Sequence, residues 1–474
     1  MAPRPISPDR WTDPTLPPGP TAPSAAAESS LLPLRVATTA LFALSGFVFG
    51  SWAARLPDIS HGVSAGPTSL GVALLCLSLG ALATMPLTGR LSARWGAGRT
   101  ATAAAALVSV IVVLPALAPS VTSLGAVLLL FGAATGMVNV AANSLGVRLE
   151  NLSGRTLLTY LHAGFSFGGL AGALAGGLVG ATLAAAPHLL AVGCAGLLLT
   201  AAMAPTLARW APAEAPADAT AGVVRAGAPA GPVSGARAPL VLLGAMAGCT
   251  AFAEGALADW GALHLRETLL ATPAVAAAGY AGFSLAMGLG RLGGGRLIER
   301  LGDTFLLAAG SLLAAGGLLA VALSPDVTVA LAGFVLVGLG LANVFPVAIA
   351  RAGARAGAAG VALASSVGYV GLLVGPPLVG LVAEHAGLQS AMATMSALAV
   401  VAGVLAVVTD AHATPAALRR WRGAVSLGPA LLRAAAVRGA SPVRRHAADL
   451  SLLVPQAPGR SPLVRATDAE LLFG

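Results

Sequence analysis

The chain has 474 residues, 57% of them hydrophobic and only 9% charged, with a mean hydropathy of +0.85; a soluble domain carries about 25% charged residues, so a water-soluble globule is excluded. The net charge is +9 and all 27 basic residues are arginine, but they lie in short loops and at the chain ends, which argues against nucleic-acid binding. Cys76, Cys194 and Cys249 fall in apolar stretches without ligand spacing, so disulfides, a metal site and a cofactor are not indicated.

Residues 1–32 are rich in Pro, Ser and Ala and read as a disordered cytoplasmic tail. A run of about 20 apolar residues crosses the bilayer as a helix. Such runs are predicted near 35–55, 67–88, 101–118, 122–147, 156–182 and 186–205, forming a first bundle over 33–205. A polar Pro/Gly/Ala-rich stretch at 206–238, with Glu214, Asp218 and Arg225, reads as a cytoplasmic linker. Six more runs follow near 239–263, 273–291, 304–323, 327–350, 358–382 and 387–408, a second bundle over 239–409. Residues 410–474 form a basic cytoplasmic tail; part of it, about 416–438, reads either as an amphipathic helix on the membrane surface or as disorder. The fold class is therefore all-α: a polytopic membrane protein of twelve transmembrane helices.

With both termini in the cytoplasm, every arginine except Arg55 and Arg266 falls inside, as the positive-inside rule asks. This places the chain in a bacterial inner membrane.

The two halves repeat one another. Gly89-Arg90-Leu91-Ser92-Ala93-Arg94-Trp95-Gly96 after span 2 matches Gly295-Arg296-Leu297-Ile298-Glu299-Arg300-Leu301-Gly302 after span 8. Gly136-Met137-Val138-Asn139-Val140 parallels Gly340-Leu341-Ala342-Asn343-Val344, and Ser51-Trp52-Ala53-Ala54 parallels Asp259-Trp260-Gly261-Ala262. Ser166-Phe167-Gly168 in span 5 parallels Ser366-Val367-Gly368 in span 11.

Two six-helix halves with repeated G-R-L-x-x-R-x-G loops resemble the major facilitator superfamily over about residues 35–408. The run Glu254-Gly255-Ala256-Leu257-Ala258-Asp259-Trp260, with Trp52-Ala53-Ala54-Arg55-Leu56-Pro57, is similar to a bacterial branch allied to the fucose permeases. The family's loop signature has an acid before its arginine. Glu299 keeps it, whereas Ala93 replaces it in the first copy, which puts the N-terminal latch in doubt. The resemblance implies two pseudo-symmetric bundles around a central cavity, alternating access, and gate loops at Gly89, Arg90, Arg94, Gly96, Gly295, Arg296, Glu299, Arg300 and Gly302. The glycines at 164, 168, 172, 176 and 180 form one stripe of span 5, either a rocking interface or a static packing surface.

Charges inside a bilayer are costly and need a partner or water. Arg55 and Asp259 lie at the outer ends of spans 1 and 7; if the repeat symmetry holds, they face each other across the cavity. They form either an outer gate and substrate site or an interfacial ion pair. Burial favours the protonated form of a carboxyl group, so Glu254 is the candidate proton carrier, the alternative being a structural hydrogen bond. Asn139, Asn143, Asn343 and His162 form a polar set towards the cytoplasm, suited to solute hydroxyls, an inner gate or interhelical bonding. Trp52, Trp260 and Tyr369 are candidates to stack on a ligand or to anchor at an interface. The Phe345-Pro346 step is expected to kink span 10.

These observations point to a secondary transporter for a small solute such as a sugar, metabolite or drug, coupled to H+ and acting as a monomer. The alternative on the same fold is a non-transporting sensor. A membrane enzyme would need convergent acid, base or metal-ligand sets, and the sequence offers none; a phosphate-cradling motif for an ATP-driven pump is likewise missing.

Overall fold

The structure, a computed structural model, describes residues 25–155, 157–209 and 237–411. The expected N-terminal tail up to residue 24, the linker over 210–236 and the basic tail from 412 lie outside the described residues.

Ten helices follow in order: α1 (Ala25–Gly62), α2 (Pro67–Trp95), α3 (Ala97–Ile111, extended by a 3-10 turn at Leu114–Leu117), α4 (Val121–Ser153), α5 (Leu158–Val179), α6 (Ala185–Arg209), α7 (Arg237–Glu267), α8 (Pro273–Leu301), α9 (Asp303–Leu323) and α10 (Val327–Gly357). The remaining apolar segment, Ala359–Asp410, has 52 residues. As one straight helix it would be about 78 Å long, against a hydrocarbon layer of about 30 Å. Gly387 breaks it, with φ 81° and ψ 160°, giving α11 (359–386) and α12 (388–410). The twelve expected membrane helices are present.

Boundaries differ from expectation in two places. Helix α1 begins at Ala25, inside the segment read as tail, because Ala25–Ala27 and Glu28 are strong helix formers. The expected gate loops are not loops. Gly89, Arg90 and Arg94 occupy the last turns of α2, and Gly295, Arg296, Glu299 and Arg300 those of α8. Nothing in either stretch stops a helix until Gly96 (φ 88°, ψ 148°) and Gly302 (φ 79°, ψ 150°), a conformation open to glycine and strained for other residues. The kink expected in α10 is present: the helix is interrupted between Leu341 and Val344. Pro346 has no N–H to give to the carbonyl of Ala342 and its ring crowds that carbonyl, so the break falls where the proline places it.

Local capping fixes several starts. Ser120 and Ser123 form a capping box on α4, and Thr272 accepts the Val275 N–H on α8. Asp326 accepts the N–H groups of Thr328 and Val329 at 2.6 and 3.3 Å, which hold its carboxyl below the usual carboxylate range. Glu150, near the end of α4, accepts the N–H groups of Leu157 and Leu158 at 2.6 and 2.8 Å and so caps α5 from the preceding helix.

Within each half the helices pack through small residues. A Cβ on Gly168 would lie 2.0 Å from the Ala43 carbonyl oxygen of α1, and one on Gly172 would lie 2.2 Å from that of Phe47. A Cβ on Gly176 would lie 2.8 Å from the Cβ of Ala54. The glycine stripe of α5 is therefore a packing surface inside the first half. The other face of α5, at Gly169 and Gly177, meets Ser284, Tyr280, Ala277 and Ala274 of α8. Helices α5 and α8, with α2 and α11, form the contact between the halves.

Candidate functional site

The helix pair α5–α8 brings polar groups from both halves together. Glu254 of α7 and Arg291 of α8 form an ion pair at 3.6 Å, with side-chain exposures of 33% and 13%. Arg291 Nη1 also donates across the contact to Ser166 Oγ at 3.0 Å and to the His162 carbonyl at 3.4 Å, both on α5. His162 Nε2 lies 3.2 Å from Asn143 Oδ1 on α4. Asn143 Nδ2 then donates to the side-chain and backbone oxygens of Asn139, one turn earlier, at 2.9 and 2.8 Å. The His162 ring is held edge-on by Phe42 of α1, centroids 5.1 Å apart. One chain of polar contacts thus runs from α7 through α8 and α5 to α4.

Arg291 is the residue that sequence reasoning missed. Counted as an inner-loop arginine, it lies eighteen residues after Pro273, about 27 Å along α8 and three turns before that helix ends. The signal was masked: Gly293-Gly294-Gly295 directly after Arg291-Leu292 reads as the start of a loop, yet α8 runs through it to Leu301.

At the α1–α2 end of the molecule the halves are tied by charged side chains. Asp58 of α1 lies 3.1 Å from Arg55 and 3.6 Å from Arg266 of α7. His61 Nε2 lies 2.9 Å from Glu267. The Thr68 N–H of α2 donates to Glu384 Oε2 of α11 at 3.3 Å. Close packing reinforces these links: a Cβ on Gly380 would lie 2.5 Å from the Pro67 carbonyl oxygen. The opposite end differs. Arg90, Arg94, Arg296, Glu299 and Arg300 are exposed, and none has an ion pair among the described residues.

The other candidates divide. Glu254, His162, Asn143 and Asn139 come together as described. Asn343 does not join them: its Nδ2 donates to the Gly290 carbonyl at 3.0 Å, and its side chain fills the space left by Gly294. The expected pairing of Arg55 with Asp259 is not made. Arg55 is taken by Asp58 one turn away, while Asp259 is half-buried with no ion pair among the described residues. Trp52 and Trp260 are fully buried, Trp52 against Phe49 and Phe131, so they serve the cores and do not present a stacking face. Tyr369 is half-buried on α11.

Two six-helix halves related by an internal repeat, with polar side chains meeting between them, define a multi-pass membrane protein of the transporter type. Residues 243–453 match the Major Facilitator Superfamily. An uncharacterised MFS-type transporter of Yersinia pestis is 32% identical over 371 residues, covering 77% of this chain and 92% of the relative. Membrane protein MosC of Rhizobium meliloti is 32% identical over 375 residues, covering 78% and 89%. A solved bacterial homologue of the human lysosomal transporter Spinster, inward-facing and occupied, superposes with a TM-score of 0.62 at 18% identity over 82% of this chain and 98% of that one; that likeness speaks for the fold alone. The chain belongs to the Major Facilitator Superfamily.

Proposed function

We propose that this protein is a secondary active transporter that carries a small solute across the bacterial inner membrane by alternating access, coupled to protons through Glu254. The observation that carries this reading is the Glu254–Arg291 pair, which reaches across the contact between the halves to Ser166, His162 and Asn143. A charge pair in a membrane-spanning bundle is expensive unless water or a solute shares the site. Protonating Glu254 frees Arg291, and a freed guanidinium changes its hold on α5 in the other half. Proton uptake and the relative position of the halves are then one equilibrium, with differential contacts in its two states.

The asymmetry between the two ends supports the same reading. Three polar links close the α1–α2 end, and the arginine-rich ends of α2 and α8 stand apart from ion pairing. With the termini in the cytoplasm, this is an inward-facing state. The protein acts as a monomer in this scheme, its two halves supplying the moving parts.

A thermal-shift screen of the purified protein against sugars, amino acids and drugs identifies a ligand. Flux of that ligand is then measured in liposomes with and without a proton gradient. Gradient-driven flux that is lost in Glu254→Gln is expected. Binding without flux would make the protein a sensor, and undiminished proton-driven flux in Glu254→Gln would remove that residue from coupling.

A further inference from the structure

Beside the Asp58–Arg266 link between the halves, residues of the first half line an open crevice of about 560 Å³ at the α1–α2 end. Its wall includes Arg55 and Asp58 of α1, Pro115, Gly180 and Thr182, and Ala186 in the first turn of α6. Arg55 is only 2% exposed. Its Nη2 donates to the Leu183 carbonyl at 2.6 Å, but among the described residues Nε and Nη1 have no hydrogen-bond acceptor. Nε approaches Asp58 at 3.1 Å without the alignment of a hydrogen bond.

Charge is unbalanced here as well. Asp58 is the one carboxylate in contact with two arginines, Arg55 and Arg266. His188, also in the opening turns of α6, is buried with both ring nitrogens lacking partners. A buried guanidinium is stable only when its charge and its N–H groups are both answered. The start of α6 adds N–H groups with no intrahelical acceptor, and the positive end of a helix dipole, on the same wall. Arg55 and the start of α6 share the wall of one space that has room for a small molecule, and the unmatched nitrogens of Arg55 and His188 lie buried behind that wall.

We propose that this cavity binds a small oxyanion, a carboxylate or phosphate group, against Arg55 and the N-terminus of α6. The group comes either from a free anion in the outer solution or from the headgroup of an anionic lipid. The site shares Asp58 with the link to Arg266 but not the Glu254–Arg291 pair, so its failure leaves the coupling reading in place and the failure of that reading leaves this site in place.

The test uses the full-length protein purified free of lipid, with thermal unfolding followed by tryptophan fluorescence at constant ionic strength. Inorganic phosphate, acetate and phosphatidylglycerol are the probes. Binding to the folded state raises the midpoint in proportion to ligand occupancy. A saturable rise with phosphate or acetate is expected if the source is a free anion, and one with phosphatidylglycerol alone if it is a lipid. Either rise must vanish in Arg55→Gln and in Ala186→Asp, which places a carboxylate in the cavity and itself raises the midpoint. Ala186→Asp decides the matter where Arg55→Gln does not fold. Asp58→Asn removes the competing carboxylate and is expected to tighten the response severalfold. No saturable rise with any probe, or a rise that survives Ala186→Asp, overturns the proposal.

Discussion

Gly96 and Gly302 end α2 and α8 in the same backbone conformation, and Trp52 and Trp260, at matching repeat positions, are both fully buried. Yet Asn139 is exposed and bonded to Asn143, whereas its counterpart Asn343 is buried against Gly290. Glu254 falls at the repeat position of Gly46, and Arg291 at that of Met85. Asp303, at the position of Ala97, accepts Arg351 Nε at 2.8 Å. In the first half Arg148 keeps a buried Nε with no acceptor. The halves therefore share the positions that shape a bundle and differ at those that carry charge. The second half supplies the charged pair, and the first answers with neutral hydrogen-bonding groups.

The largest effect is expected from abolishing that division. Arg291→Met leaves Glu254 without its partner and removes the links to Ser166 and His162. Flux is expected to fall at least about tenfold, equivalent to about 1.4 kcal/mol. Liposome transport beside a thermal melt separates lost function from lost fold, and retained flux would show that the pair is structural.

Next is a contrast in packing. A Cβ on Gly168 would lie 2.0 Å from a backbone oxygen, but one on its repeat partner Gly368 would meet the Ala247 side chain at 3.3 Å. Gly168→Ala is expected to cost roughly 1–3 kcal/mol by overpacking, and Gly368→Ala distinctly less. Comparison of the two melting midpoints checks this.

Charge at the arginine-rich ends sharpens the comparison further. Arg351 pairs with Asp303, which is 44% exposed, and also reaches Thr304. Arg351→Met is expected to cost about 0.2–1 kcal/mol, the range of partly exposed pairs. Arg148→Met removes a half-buried arginine whose Nε has no acceptor among the described residues and is expected to be neutral or stabilising. The reverse order of midpoints would mean that the first half holds Arg148 by another means.

The smallest effect distinguishes the two asparagines. Asn343→Ala loses an interhelical hydrogen bond, worth about 0.6 kcal/mol in membrane bundles. Asn139→Ala is expected to leave the melt unchanged and to alter solute affinity, read by titration in the same assay.

Spans, repeat and fold were legible in the sequence because hydropathy and spacing are local properties. Glu254, His162, Asn143 and Asn139 were legible as polar groups in apolar helices, where each must find a partner. Their connection was not, because the link is Arg291, and an arginine following an apolar run looks like loop charge. The Arg55–Asp259 pairing failed for a related reason. Repeat symmetry places two residues at matching heights, but it does not weigh the acid one turn along the same helix, and Asp58 reaches Arg55 first. Trp52 and Trp260 were misread because interfacial tryptophans usually face lipid or ligand, whereas here both indoles are fully buried, Trp52 against the rings of Phe49 and Phe131.

Gly66 precedes α2 and has no side chain to cap it, so the amide of Thr68 depends on Glu384, a residue of the other half. When the halves separate at that end, the first turn of α2 loses its acceptor and its amides pass to water. Deuterium uptake at residues 68–70 is thereby a clock for the opening of that end, readable in the unlabelled protein without knowing what it carries.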